Sequence, residues 1–296
     1  MSTPEAEADL APPDRPWQPS PVALERASFR RKQSVRSTLI AALSTLVVGV
    51  VLVLGVTSTP GWPAVQESFF NLHRAWTALP AVLDGLWLNI RIMAVCEVII
   101  LALGLLIAAM RTLRGPVFFP LRLAATVYVD LFRGLPLLLV IFLLGYGVPA
   151  LRLRGVPGSV LLWGCAALVL TYSAYVAEVL RAGIESVHPS QQAASRSLGL
   201  THYQTMRHVV VPQAIRRVLP PLLNDLVSLQ KDSGLISTLG VVDAIKAAQI
   251  ETAIDFKFAP YVLAGVLFVL LTIPMTRLTD YIARRQGLAR AGGGVM

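Results

Sequence analysis

The sequence predicts an all-α integral membrane protein with about six transmembrane helices. Hydrophobic residues make up 55% of the 296 residues and charged residues only 15%, which is too apolar for an ordinary soluble domain. The apolar residues collect in runs of roughly 20, each long enough to cross a bilayer at about 1.5 Å of rise per residue. The net charge of +9 gathers at the ends of those runs. Membrane topology explains that placement better than a nucleic-acid-binding face does, so the expected surroundings are lipid and no nucleic acid is expected as a partner.

In chain order, residues 1–25 are rich in Pro, Ala, Glu and Asp and lack periodicity. With the basic cluster Arg26, Arg30, Arg31, Lys32 and Arg36 they are expected to form a disordered basic tail over 1–37. Thr38–Val56 is apolar throughout and predicts a first span at 38–57. It is read as retained rather than as a signal peptide: the preceding tail is long, the run exceeds a usual h-region, and no Ala-x-Ala site follows. Residues 57–82 carry Pro60, Trp62, Pro63, Phe69, Phe70 and Trp76, an interfacial composition.

The second span is expected from Leu86 to Met110, with Arg91 and Glu97 inside it and Arg111 and Arg114 at its end. Pro116 to Asp130 fits either an interfacial helix or the start of a tilted span. Phe132-Arg-Gly-Leu-Pro136 breaks it, and Leu137–Val148 completes a third crossing. Arg152, Gly155, Pro157 and Gly158 make a turn. A fourth span follows at 159–181 and a fifth at 208–230, the weakest because Gln213, Arg216 and Arg217 interrupt it. Residues 236–257 read as a half-polar re-entrant or surface helix. Pro260–Leu278 is the last span, and Arg284, Arg285 and Arg290 lead into a tail at 287–296.

The basic clusters 26–36, 111–122, 181–217 and 284–290 fall on one side of six spans, which makes that side and both termini cytoplasmic. The opposite loops hold Arg74, Arg152 and Arg154, with Lys246 and Lys257 accompanied by Asp243, Glu251 and Asp255.

The chain is organised around 171–235. Pro189 suits the first position of a helix and Gly199 the left-handed residue past its end, giving a short helix at 189–198. Thr201 and Gln204 then read as a capping box. This helix is almost without large apolar residues except Leu198, so it is not a core helix. Gln191, Ala194, Ser195 and Leu198 share one face whose small side chains admit a close partner. By composition alone it reads first as a solvated linker helix.

Catalytic and metal chemistry find little support. Cys96 and Cys165 are isolated within apolar runs, and His202 and His208 are wrongly spaced for one helical face. No phosphate loop of the Gly-Lys-Ser/Thr type occurs, so the chain is not expected to hydrolyse nucleotide. Charged groups within spans are costly and usually face a bundle interior or a watery cavity. Glu97, Asp130 with Arg133, Glu178 with Arg181, Asp225, and Lys231 with Asp232 are the candidates. The i,i+3 pairs Glu178–Arg181 and Asp130–Arg133 read first as structural ion pairs. Gly134 and Pro136 add a broken backbone whose freed carbonyls must face protein or water. Asn224, Asp225, Lys231 and Asp232, on a span carrying Pro220 and Pro221, fit a polar pathway or interhelical glue.

Over roughly residues 85–285 the sequence resembles the permease subunits of bacterial ATP-binding-cassette importers, polar amino-acid group. Tyr128-Val-Asp-Leu-Phe-Arg-Gly-Leu-Pro-Leu-Leu138 is similar to the group's Phe-Arg-Gly-Thr-Pro-Leu-Leu stretch. Ala174-Tyr-Val-Ala-Glu-Val-Leu-Arg181, Pro212-Gln-Ala-Ile-Arg216, Leu219-Pro-Pro-Leu-Leu-Asn224 and Lys231-Asp-Ser-Gly-Leu235 follow in the expected order. The family's Glu-Ala-Ala…Gly signature aligns with Ala193-Ala194-Ser195 and Gly199, so the glutamate is absent. Leu135 also replaces a threonine, and Gly234 stands where serine is common.

The resemblance implies a type I importer permease core at 83–286 with an extra N-terminal span, in a bacterial plasma membrane. It implies a coupling helix in which Gln191, Gln192, Ala193, Ala194, Ser195, Arg196, Leu198 and Gly199 meet a cytoplasmic ATPase dimer. Arg133, Gly134, Asn224, Lys231 and Asp232 are the expected pathway residues. A second permease chain, identical or related, and an extracytoplasmic solute-binding protein complete the implied assembly. ATP and Mg belong to the ATPase subunits, with no cofactor on this chain. The rivals are an ion-driven secondary transporter, which predicts repeats and a mid-membrane acid pair, and a membrane-embedded enzyme, which predicts a catalytic constellation.

Overall fold

A computed structural model describes residues 20–113 and 115–285. The disorder expected for 1–19 and the tail expected at 287–296 lie outside the described residues. The chain divides into two units, Met1–Ala64 and Val65–Met296.

In the first unit, helix α1 spans Pro21–Thr57 without a break. The basic segment expected to be part of a disordered tail is therefore helical from Pro21 onward. Ala, Leu, Glu, Arg and Lys dominate 21–37, all good helix formers, and nothing there stops a helix that the apolar run behind it already favours. Arg36–Thr57 is the apolar part, long enough to cross a membrane. Within it Thr38, Thr45 and Thr57 donate to the carbonyls of Ser34, Ala41 and Val53 at 2.8–2.9 Å, which satisfies hydroxyls that lipid would leave bare.

The helices that follow are α2 (Trp62–Phe69), α3 (Leu72–Thr112), α4 (Phe119–Gly134), α5 (Leu137–Phe142), α6 (Val148–Ala150) and α7 (Val160–Glu185). After them come α8 (Pro189–Ser197), α9 (His202–Thr205), α10 (Val211–Asp232), α11 (Ala244–Asp255) and α12 (Ala259–Arg285). Tight 3₁₀ segments occupy Pro116–Phe118 (one turn) and Ser233–Leu239 (about two turns), and wide π turns Leu143–Gly147 and Met206–Val210. Each π turn sits two residues ahead of a proline, Pro149 or Pro212. A proline offers no N–H and crowds the carbonyl four residues back, and a widened turn relieves both demands.

Among the described residues, four helical stretches are long and apolar enough to cross a membrane: Arg36–Thr57, Trp62–Thr112, Val160–Glu185 and Ala259–Arg285. Pro116–Gly134 and Leu137–Ala150, bent by 104°, make a fifth if read as one broken span. The break falls at Leu135, held extended (φ −91°, ψ 139°) by the proline after it, where the sequence predicted it. The expected fifth span, now α10, falls short of that apolar standard. It is amphipathic, with Ala214, Val218, Val227 and Leu229 buried and Arg216, Asn224 and Lys231 exposed.

Helices α3 and α7 form the centre of the second unit, with Ile100, Ile141, Leu168, Leu229 and Ile236 fully buried around them. Glycines permit the close approach: a Cβ on Gly104 would lie 2.5 Å from Val176 Cγ1, and one on Gly164 2.9 Å from Leu239 Cδ1. A second core joins α3 to α11 and α12 through Ala78, Val82, Ala244, Ala248 and Ala264. Here a polar knot closes the packing. Asn89 Nδ2 donates to Asp243 Oδ2 at 3.0 Å and to Ser233 Oγ at 3.2 Å, and Asn89 Oδ1 accepts from the Ala244 N–H at 3.1 Å. Segment 236–257, expected to be re-entrant or on the surface, is thus tied into the core by the turn Ser233–Leu239 and by α11.

Candidate functional site

Three features of the second unit carry chemistry. The first is a cavity of about 280 Å³ between α7 and α10, closed on one side by Leu137. Thr171, Tyr172 and Tyr175 line it from α7, and Asp225, Ser228 and Asp232 from α10. The spacings of three and four residues place that α10 trio on one helix face. Tyr172 Oη donates to Asp232 Oδ2 at 2.7 Å. Thr171 Oγ1 and Asp225 Oδ2 are buried without a hydrogen-bond partner.

The second feature is a charge hub next to this cavity. Arg111 of α3 donates to Glu178 Oε2 at 2.6 Å, and Arg181 donates to Oε1 at 2.5 Å and to Oε2 at 3.2 Å. Arg181 also bonds Glu185. Arg133 of α4 comes within 3.9 Å of Glu178 and lies 5.7 Å from the centre of the Tyr175 ring. The Glu178–Arg181 pair was readable in the sequence. The expected Asp130–Arg133 pair is replaced by this contact, because α4 ends at Gly134 with Arg133 in its last turn, facing α7.

The third feature is α8. Its N-cap is His188, whose Nδ1 accepts from the Ser190 N–H at 3.2 Å ahead of Pro189. It ends as predicted on Gly199 at φ 81°. The Gly199 N–H donates to Arg196 O at 2.9 Å and the Leu200 N–H to Ser195 O at 3.2 Å, the paired bonds of a Schellman end. The capping box at Thr201 and Gln204 opens α9. Side chains fix the orientation of α8. Ser195 Oγ donates to Thr205 Oγ1 at 3.0 Å and Gln213 Nε2 to Gln191 Oε1 at 2.6 Å, while Arg217 of α10 donates to Ser186 O at the end of α7, just ahead of α8.

Ser195 is therefore turned inward, against the expectation that it shared an open face with Ala194 and Leu198. The Ser195 hydroxyl finds its partner on α9, while Ala193, Ala194 and Arg196 stay exposed and Leu198 is 82% exposed. At Ala193, where the family signature has glutamate, the side chain is open to an outside partner.

Residues 100–287 match the family model described as binding-protein-dependent transport system inner membrane component. The chain belongs to this family. It is 37% identical over 186 residues to the probable glutamine ABC transporter permease protein GlnM of Bacillus subtilis (strain 168), covering 62% of this chain and 82% of that protein. It is 28% identical over 208 residues to the arginine transport system permease protein ArtQ of the same organism, covering 70% and 93%. Among solved structures, an amino acid ABC transporter with histidines matches at TM-score 0.64 and 33% identity, over 70% of this chain and 94% of that one. The MetNI methionine ABC transporter shares the fold at TM-score 0.55 and 19% identity, over 70% and 97%. The chain is a multi-pass membrane permease subunit, and in this family ATP hydrolysis lies in separate subunits, so the chain is not an enzyme.

Of the five pathway residues expected for this permease, the structure brings Asp232 into the cavity; Arg133 does not line it and lies beyond Tyr175, 5.7 Å from the centre of that ring. Asn224 and Lys231 lie exposed on α10, away from the cavity, and a Cβ on Gly134 would meet nothing within 4 Å. Thr171, Tyr172, Tyr175 and Ser228 were missed. The acid–hydroxyl–acid row at 225, 228 and 232 was the available signal. Gly234, the other departure from the family pattern, packs where Ile245 Cδ1 would sit 2.6 Å from an added Cβ.

Proposed function

We propose that this chain forms the translocation pathway of an ATP-driven importer of polar amino acids and takes its drive through α8. The observation that carries the reading is the fixing of α8. A short polar helix is anchored by side chains to α9 and α10 and presents Ala193, Ala194, Arg196 and Leu198 outward. A linker helix needs no such anchoring, whereas an element that transmits force needs to move as one body with the spans behind it.

In this reading Gln191 to Gly199 dock on a cytoplasmic ATPase dimer that carries ATP and Mg. A second permease chain, identical or related, completes the pathway, and a solute-binding protein delivers cargo from outside. Both termini are assigned to the cytoplasm by the positive-inside rule, from the basic clusters at 26–36, 111–122, 181–217 and 284–290 that flank the apolar runs. Residues 38–57 add one span to a core permease at 83–286. Closure of the ATPases around ATP would shift α8, and α10 with it through Gln191–Gln213, so that the pathway opens alternately to each side.

The test is a pull-down of the tagged chain from its native membrane in mild detergent, with mass spectrometry of what comes with it. Recovery of an ATPase bearing a phosphate loop, lost on replacing Gln191 and Leu198 together by Asp, is the expected result. A single-chain preparation under conditions that hold known importer complexes together would turn the reading towards an ion-driven carrier.

A further inference from the structure

Arg91 of α3 is exposed, and among the described residues no carboxylate comes within ion-pair distance of it. Its guanidinium lies 6.0 Å from the centre of the Trp87 ring, one turn back on the same helix face. Between Arg91 and Arg111 the sequence holds a single charged residue, Glu97. The two arginines are about 30 Å apart along the helix, the thickness of a bilayer's hydrocarbon core. Arg91 therefore stands where the headgroups of one leaflet begin, with Trp87 just outside in the interfacial belt.

A groove of about 480 Å³ runs between α3 and α7 from that level inward. Val95 and Ile99 line it from α3, and Leu161, Leu162, Cys165 and Val169 from α7, with Ser159 at the head of α7. Arg91 lies outside this lining, one turn ahead of Val95 and on the same side of the helix. The two helices run in parallel: Cys96 Sγ meets Cys165 O at 4.0 Å and Arg111 meets Glu178, offsets of 69 and 67 residues. Those offsets set Ser159 level with Arg91. From Ser159 to Val169 the groove reaches about 15 Å, the hydrocarbon depth of one leaflet. It is open on its outer side, where Val95 is 62% and Leu162 46% exposed.

We propose that this groove holds an acyl chain of a membrane phospholipid whose phosphate is bound by Arg91. The inference needs only the membrane setting and does not depend on the importer reading. An apolar groove one leaflet deep gains from a hydrocarbon chain laid along it and offers a polar solute almost nothing. A guanidinium at headgroup level, with no carboxylate in reach, is a forked donor suited to phosphate oxygens. The Trp87 ring steadies it from the outer side. Arg91 precedes Val95 by about 6 Å along the axis, which leaves room for the glycerol between phosphate and chain. Ser159 Oγ accepts from the Leu162 N–H at 3.3 Å and keeps its own proton for an ester carbonyl.

The chain has two cysteines, and they supply the probe: Cys165 lines the groove, while Cys96 is 1% exposed. Modification of Cys165 by N-ethylmaleimide is followed, by mass spectrometry of its peptide, in the delipidated permease with its co-purified subunits. Phosphatidylglycerol, or diacylglycerol with the same chains, is titrated in. Phosphatidylglycerol is expected to protect Cys165 at about tenfold lower concentration, the contribution of one charge-assisted pair. Arg91→Gln should bring the two lipids together, and Arg91→Lys should keep part of the gap. Native mass spectrometry should count one bound phospholipid fewer per permease chain in Arg91→Gln. Equal protection by both lipids in the wild type overturns the proposal, as does a gap that Arg91→Gln preserves. If Cys165 stays unmodified without lipid, as a second permease chain packed over the groove would make it, the lipid count decides: an unchanged count in Arg91→Gln overturns the proposal, and a lost phospholipid upholds it.

Discussion

Arg111 of α3 and Glu178 of α7 meet at 2.6 Å, with the arginine side chain 13% and the glutamate 22% exposed. That contact locks together the two helices that centre the second unit. Glu178 also receives Arg181 and, at longer range, Arg133, so one carboxylate serves guanidinium groups from α3, α4 and α7. Replacing Glu178 by Gln would leave these cations without their shared counter-charge. The expected cost is about 1–3 kcal/mol, below the range for fully buried pairs because both partners keep some solvent contact. Thermal unfolding of the purified variant in detergent reads it. A cycle with Arg111→Met should be non-additive, since both changes remove the same contact.

Asn89 makes three bonds in the core, two of them donated to α11's N-cap Asp243 and to Ser233. Asn89→Ala strips a buried carboxylate of a donor and a buried N–H of its acceptor. A loss of about 2–4 kcal/mol is expected, with poor recovery of monodisperse protein by size-exclusion chromatography. Asn89→Asp should be worse still, because it sets a second carboxylate against Asp243.

Gly85 and Gly265 are both helical glycines, but their surroundings differ. A Cβ on Gly85 would run into the backbone of Asp243 and Ala244, whereas one on Gly265 meets nothing within 4 Å. Gly85→Ala is expected to destabilise by about 1–3 kcal/mol, since a backbone neighbour cannot turn aside. Gly265→Ala is expected to be neutral or to stabilise by up to about 1 kcal/mol through helix propensity. Melting temperatures of the two variants side by side separate packing from propensity.

Gly199 sits at φ 81° with open space around it. Gly199→Val is expected to cost about 1–2 kcal/mol through the left-handed backbone alone. That is too little to unfold the spans but enough to disturb the end of α8. Membrane insertion, followed by protease accessibility, should be normal while ATP-driven uptake falls. Normal uptake would mean that the end of α8 does not matter for coupling.

How much of this was legible follows from the range of the contacts. The short helix at 189–198, its glycine end and its capping box depend on neighbours within five residues, and the structure places them almost where the sequence did. The bend at Leu135 and the Glu178–Arg181 pair are local in the same sense. The Arg111–Glu178 contact, the inward turn of Ser195 onto Thr205 and the cavity joining Tyr172 to Asp232 depend on helix rotation and register. Spacing along one helix cannot supply these. The early start of α1 was missed for another reason: composition suggested disorder, while the apolar run behind it extends the helix back through 21–37.

The central claim is that ATP drives transport through α8. The most direct measurement is uptake by proteoliposomes holding the permease with its co-purified ATPase and solute-binding protein. Uptake is followed with ATP on the ATPase side, with and without a protonophore, for the wild type and for Leu198→Asp. The account predicts ATP-dependent uptake insensitive to the protonophore and abolished by the substitution, with membrane insertion intact. Uptake that runs on an ion gradient without ATP, or that Leu198→Asp leaves unchanged, would contradict it.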